Sequence, residues 1–171
     1  MKKLNVFLLI VLGIALISCK PTSQQGADYN NQIIALTDAV VVDQYGQFLK
    51  TWQRYDVDNP DYAELKADFK SYQAQIKTSM DGISSLKKFD GKNEFKDAAI
   101  EYLSAYQSTC DNEWKEILDI LKQGEDISSR DLSRCDDIAV AIDKKVEKAD
   151  KNFAKFQKSF AKKYNFELVS E

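Results

Sequence analysis

The chain has 171 residues, with 24 lysines and arginines against 27 aspartates and glutamates, a formal net charge of −3 and no histidine. The missing imidazole removes the commonest general base and transition-metal ligand, so neither a Glu-x-x-His di-metal site nor a Cys-x-x-Cys-His haem attachment can be assembled, and the acidic balance speaks against nucleic acid as a partner. Six glycines and two prolines in the whole chain favour long helices over many short strands.

The N-terminus opens Met1-Lys2-Lys3 and then runs through twelve unbroken apolar or glycine positions from Val6 to Ile17. That is the charged start and greasy centre of an export signal, and it falls short of the roughly 18 apolar residues a membrane-spanning helix needs. The run ends in Leu16-Ile17-Ser18-Cys19, which resembles the lipobox of bacterial lipoprotein signals: a branched aliphatic at −3, a small residue at −1, then the cysteine. The expectation is therefore a signal peptide over residues 1–18, cleaved after Ser18, with the Cys19 thiol as the nucleophile that accepts a diacylglycerol. Two acyl chains, at about 0.8 kcal/mol per buried methylene, suffice for stable anchoring. Residues 19–27 follow as a polar, flexible tether. The mature chain carries 22 basic and 27 acidic residues, enough length for one domain.

Four periodic segments make up residues 28–171. The first covers 28–55, with Tyr29, Ile33, Leu36, Val40, Val41, Tyr45, Phe48, Trp52 and Tyr55 spaced for one helical face. After Asp56-Val57-Asp58, Asn59 is the expected cap of the next helix and Pro60 its first residue. The second segment carries a near-heptad seam through Tyr62, Leu65, Phe69, Tyr72, Ile76, Ile83 and Leu86. Phe89-Asp90-Gly91 breaks it. The third runs from Phe95 through Tyr102, Tyr106, Cys110 and Trp114 to Leu121, with Gly124 as its C-terminal cap. Ser128, three residues before Asp131, forms a capping box with Asp in place of Glu and starts the fourth segment, where Leu132, Cys135, Ala139, Ile142, Val146, Ala149, Phe153, Phe156 and Phe160 alternate at spacings of three and four. Long helices joined by short breaks run antiparallel, so the predicted fold is all-α, an antiparallel up-down-up-down four-helix bundle preceded by the signal peptide.

Each candidate for chemistry has an ordinary alternative. The stretch from Asp56 to Asp61 begins like a calcium loop but has Pro60 at the third ligand position, Asp61 in place of the required glycine, and Ala67 where the bidentate glutamate belongs; a turn with capping acids is the better reading. Cys110 and Cys135 share an oxidising compartment under the export reading, yet their distances from the third bend differ by about seven residues, an axial mismatch of about 10 Å, so two buried thiols are expected in preference to a disulfide. The aromatic residues fall at helical spacing and read as core. No catalytic, metal or cofactor site is predicted. Charge does sort along the rods: Lys155, Lys158, Lys162 and Lys163, with Lys151, Lys87, Lys88 and Lys92, lie at the end nearest Cys19, and Asp56, Asp58, Asp61, Glu64, Glu125, Asp126 and Asp131 lie at the far end. Lys155, Lys158, Lys162 and Lys163 are thus candidate contacts with a membrane surface, the alternative being complementarity to helix dipoles.

From Asp28-Tyr29-Asn30-Asn31 to Phe160-Ala161-Lys162-Lys163-Tyr164-Asn165-Phe166-Glu167-Leu168 the pattern resembles a family of small predicted bacterial surface lipoproteins of unassigned function. The resemblance implies a helical extracytoplasmic domain and supplies no catalytic residue. The expected protein is not an enzyme. It is a lipid-anchored module of the bacterial envelope, placed at the outer membrane on its periplasmic face or the cell surface, with the membrane and a protein as partners. The alternative is a bundle that holds a small apolar or lipid-like molecule; a filled core favours the first reading, and a cavity lined by Phe and Tyr the second.

Overall fold

The computed structural model describes residues 20–55 and 61–168 of the chain. The signal segment, the Ser18-Cys19 junction and residues 56–60 lie outside the described residues, so the lipidation site Cys19, the acids Asp56 and Asp58, and the expected cap Asn59 are not placed by it.

Four helices account for nearly all of the rest. Helix α1 spans 23–54 as α-helix Ser23–Asp38, a π-helical stretch Ala39–Tyr45 and α-helix Gly46–Arg54. Helix α2 is Tyr62–Ser85. Helix α3 spans 94–121 as Glu94–Thr109, a π-helical stretch Cys110–Trp114 and Lys115–Leu121. A single 3-10 turn, Gly124–Asp126, leads to α4, Ser129–Tyr164. Among the described residues there is no strand, and the one β-bridge, Phe89 to Lys92, closes a tight turn with Asp90 and Gly91 at positive φ, the backbone a two-residue reversal needs.

Side-chain contacts fix the helix directions. The start of α1 meets the end of α2, where the Tyr29 hydroxyl donates to the Lys87 carbonyl at 3.0 Å, and the end of α1 meets the start of α2, where the Thr51 hydroxyl donates to Asp68 at 2.5 Å. Lys96 on α3 donates to the carbonyls of Ser84 and Leu86 at the end of α2. Between α3 and α4, Arg134 pairs with Glu116 and Lys163 with Glu94. Each helix is antiparallel to the one before it, giving a four-helix bundle. Its centre is filled by Ile33, Val40, Phe48, Leu65, Tyr72, Ile76, Ile83, Leu103, Tyr106, Trp114, Ile117 and Ile142, all fully buried or nearly so.

Two boundaries and the interior of two helices differ from the sequence reading. Helix α1 begins at Ser23, within the expected tether. Thr22 caps it, accepting from the Gln25 backbone N–H at 3.2 Å while the Gln25 side chain accepts from the Thr22 N–H at 2.8 Å, a reciprocal capping box that satisfies two end donors. The cap of α2 is Asp61, which accepts from the Glu64 N–H at 3.0 Å, rather than Asn59. The two π-helical stretches interrupt segments expected as uniform α-helix. The Ser128 cap accepts from the Asp131 N–H at 3.1 Å, as its spacing predicts.

Candidate functional site

Helix α4 carries the residues singled out for surface contact. Lys155, Lys158, Lys162 and Lys163 are all exposed on its last three turns. Lys163 is engaged, 3.2 Å from Glu94 and 5.1 Å above the Tyr164 ring; its hydrogen bond holds the Glu94 carboxyl below the usual carboxylate range. The other three make no ion pair among the described residues. Lys151 pairs with Glu147 one turn away, and Lys92 lies 3.5 Å from Glu94. At the opposite end, Asp61 caps α2, Glu64 pairs with Arg54, and Asp131 sits in the first turn of α4. These acids have the places that helix dipoles and caps favour.

The lysines of α4 form a longer array than the charge sorting suggested. Lys144, Lys148, Lys151, Lys155, Lys158 and Lys162 are exposed and, at 3.6 residues per turn, fall within an arc of roughly 80° that runs about 27 Å along the axis. They lie opposite the buried stripe of Ile142, Val146, Phe153, Phe160 and Tyr164. Lys144 and Lys148 were not among the sequence candidates, although the spacings of three and four that join them to Lys151 are legible in the sequence once lysines, rather than apolar residues, are traced along the helix.

The interior opposite that face is aromatic along most of its length. Tyr45 sits 5.1 Å from Tyr72, 5.5 Å from Tyr106 and 6.3 Å from Trp114 between ring centres. Trp114 also meets Phe48 and Trp52 edge to face. Further along, Tyr102 stacks flat on Phe153 at 4.6 Å, and Phe95, Phe160, Tyr29 and Phe89 continue the column. Both π-helical stretches feed this region, supplying Val40 and Tyr45 from α1 and Cys110 and Trp114 from α3. The Tyr106 hydroxyl donates to Asp150 at 2.8 Å, whereas the Tyr72 hydroxyl and the Trp114 Nε1 are buried and make no well-formed hydrogen bond among the described residues. Burial raises the pKa of Tyr45, Tyr72, Tyr102 and Tyr106. It pushes the Cys110 thiol up to about 12 and that of Cys135 upward as well. Both cysteines are buried and unbridged. Such thiols are poor nucleophiles, since the thiolate is the reactive form.

One of the open spaces among the described residues lies between α3 and α4. A groove of about 400 Å³ has Tyr102, Phe153 and Phe156 with the small side chains of Ala98, Ala105 and Ala149 as its lining, and Lys145, Lys148, Glu101 and Asn152 also border it. Lys145 is held by Glu113 at 2.6 Å and by the Ser108 hydroxyl at 3.3 Å, while Lys148 makes no ion pair among the described residues. No group of three or more His, Cys, Asp or Glu side chains among the described residues is arranged to hold a metal ion, and no helix of the described residues is long and apolar enough to cross a membrane. No protein-family model, no curated protein and no solved structure matches this chain.

Proposed function

We propose that the protein is a lipid-anchored component of the bacterial envelope whose helical bundle is a non-enzymatic interaction module held close to the membrane through Cys19. The observation that supports this most directly is where α1 starts. Only Lys20 and Pro21 separate Cys19 from the cap Thr22, so the bundle is within about 10 Å of an acylated Cys19 even with those links fully extended. The same end of the bundle holds Tyr164 and Phe166 against Gly26. The opposite end, around Gly124–Asp126 and Ser128, points away from the anchor and is the part of the bundle free to meet a partner protein.

Fractionation of cells expressing the whole chain and its Cys19→Ser variant tests the anchor. The expected result is wild type in the membrane fraction and the variant released; a variant that stays membrane-bound overturns the reading. Crosslinking in intact cells from a photoreactive side chain at position 125 tests the module: a discrete crosslinked product is expected, and its absence counts against a protein partner.

The groove between α3 and α4 supports a second reading, a site for a small apolar molecule on the flank of the bundle. Fluorescence of an anilinonaphthalene sulfonate probe reads this out. Enhancement with wild type that Ala149→Phe abolishes, at unchanged helicity, supports the site. Equal enhancement in both proteins argues against it.

A further inference from the structure

We propose that the bundle lies lengthwise on an anionic membrane surface, with the lysines of α4 from Lys144 to Lys162 set against the phosphates of acidic lipids. This rests on the anchored reading above and specifies which face of the module meets the bilayer. Residues 144–164 contain eight lysines against Glu147 and Asp150, in a chain whose formal charge is −3. Positive charge is therefore concentrated on half of one helix, against the sign of the whole protein.

Helix dipoles do not account for it, because their effect is confined to the last turn and so reaches Lys162 and Lys163 but not Lys144, Lys148, Lys151 or Lys155. Local energetics oppose the arrangement. Each of the neighbouring pairs 144/148, 148/151, 151/155, 155/158 and 158/162 sets like charges one turn apart, which weakens a helix where a Glu–Lys pair would strengthen it. Among the described residues only Lys151 has an ion-pair partner there, Glu147. An extended anionic surface removes that repulsion along all six positions at once, and a planar array of lipid phosphates matches a straight 27 Å row better than a single bound anion does.

The anchor geometry agrees. Gly26 packs on Tyr164, so the short link to Cys19 leaves the bundle at the Lys162 end of the row, and tipping the bundle about that end lays the row on the surface. The alternative is a bundle standing on end. Lys144 is about 30 Å from Tyr164 along the helix, well beyond the roughly 8–10 Å Debye length at physiological salt, so in an upright bundle Lys144, Lys148 and Lys151 contribute nothing.

The test uses a chain of residues 20–171, which retains every core side chain from Tyr29 to Tyr164 and lacks the acylation site, so its outcome is separable from that of the Cys19→Ser experiment. Cosedimentation with phosphatidylglycerol-containing vesicles and with pure phosphatidylcholine vesicles is compared for wild type, a triple variant Lys144→Gln, Lys148→Gln, Lys151→Gln, and the corresponding triple Lys→Arg variant, with circular dichroism confirming helicity. At roughly fivefold per lysine near a charged surface, the Gln variant is expected to lose about a hundredfold in affinity for the anionic vesicles, while the Arg variant binds as wild type does and neutral vesicles bind none of them. A Gln variant that binds like wild type shows end-on seating and overturns the proposal. So does equal binding to neutral vesicles, and so does binding of a soluble polysulfate without binding of the anionic vesicles, which makes an acidic polymer the partner.

Discussion

A β-carbon placed on Gly26 would stand 2.8 Å from the Cβ of Tyr164 and 3.3 Å from the ring of Phe166, so the first turn of α1 and the last turn of α4 meet at a distance that only a glycine allows. The other atom is a β-carbon fixed to its own helix and has little room to give. Gly46 is the natural control, since a β-carbon there meets nothing within 4 Å among the described residues. Alanine gains up to about 1 kcal/mol over glycine inside a helix, and overpacking costs about 1–3 kcal/mol. Gly26→Ala is therefore expected to lower stability by about 1 kcal/mol and Gly46→Ala to raise it by a similar amount, both read from urea unfolding midpoints. Shifts of the same sign in the two variants count against a tight contact at Gly26.

The same junction marks where the sequence could be read and where it could not. The four helices were legible because apolar residues recur every three or four positions. Thr22 and Gln25 also spell a capping box, but the residues it opens, Ser23 to Ala27, are polar or small, and such a turn looks like linker unless Gly26 is known to sit beneath an aromatic ring. The π-helical stretches left a fainter mark. Buried positions in α1 step from Val40 to Tyr45, a gap of five, and in α3 the buried Tyr102, Tyr106, Cys110 and Trp114 stand four apart, with Leu103 and Thr109 also buried between them. Both lag behind 3.6 residues per turn, and a wider π turn restores the face to the core. The lysine row was hidden for another reason: exposed charges at helical spacing are the ordinary face of a soluble helix, and only the scarcity of acids on that face, with Glu147 at its border, sets this one apart.

Two buried tyrosines should respond oppositely to loss of a hydroxyl. The Tyr72 hydroxyl, which faces Cys110 and Thr109, makes no well-formed hydrogen bond among the described residues, whereas that of Tyr106 donates to Asp150. A typical hydrogen bond contributes about 1 kcal/mol net, and one to a charged group about 1.5–3 kcal/mol, while an unsatisfied buried hydroxyl costs about 1–3 kcal/mol. Tyr72→Phe is expected to leave stability unchanged or to raise it, and Tyr106→Phe to lower it by about 1–2 kcal/mol, measured by chemical unfolding. A clear loss in Tyr72→Phe would mean that a water or another ligand satisfies that hydroxyl in solution.

The pair of Lys145 and Glu113 is the least exposed ion pair among those of the described residues, at 2.6 Å, and the second carboxylate oxygen of Glu113 is buried without a hydrogen bond. Removing the lysine alone strands that carboxylate. Lys145→Met is expected to lose about 1–2 kcal/mol, and adding Glu113→Gln to recover most of it, so that a double-mutant cycle gives a coupling of about 1 kcal/mol. Additive single effects would show that the pair contributes nothing beyond the packing of the lysine stem.

Alkaline pH should unfold the bundle through its tyrosines. Burial, chiefly, holds the pKa of Tyr45, Tyr72, Tyr102 and Tyr106 above the usual value in the folded chain, and an unfolded tyrosine ionises near pH 10. A group whose folded pKa is raised contributes stability that is complete below its unfolded pKa and is lost as pH climbs from there toward the folded one, because only the unfolded state releases the proton. The Cys110 thiol, pushed up to about 12, adds a loss that starts lower, near an ordinary thiol pKa of about 8.5. Tyrosinate absorbance and far-ultraviolet circular dichroism, followed together as pH rises, are expected to show a first step from the half-buried Tyr55 and Tyr62 with helicity intact. A second, cooperative step above about pH 10 should then combine ionisation of Tyr45, Tyr72, Tyr102 and Tyr106 with loss of helix, and Tyr72→Phe should move it to higher pH. If all the tyrosines ionise together near their ordinary value while the helices persist, the hydroxyls of the aromatic core are open to solvent and the filled interior on which the interaction-module reading depends is wrong.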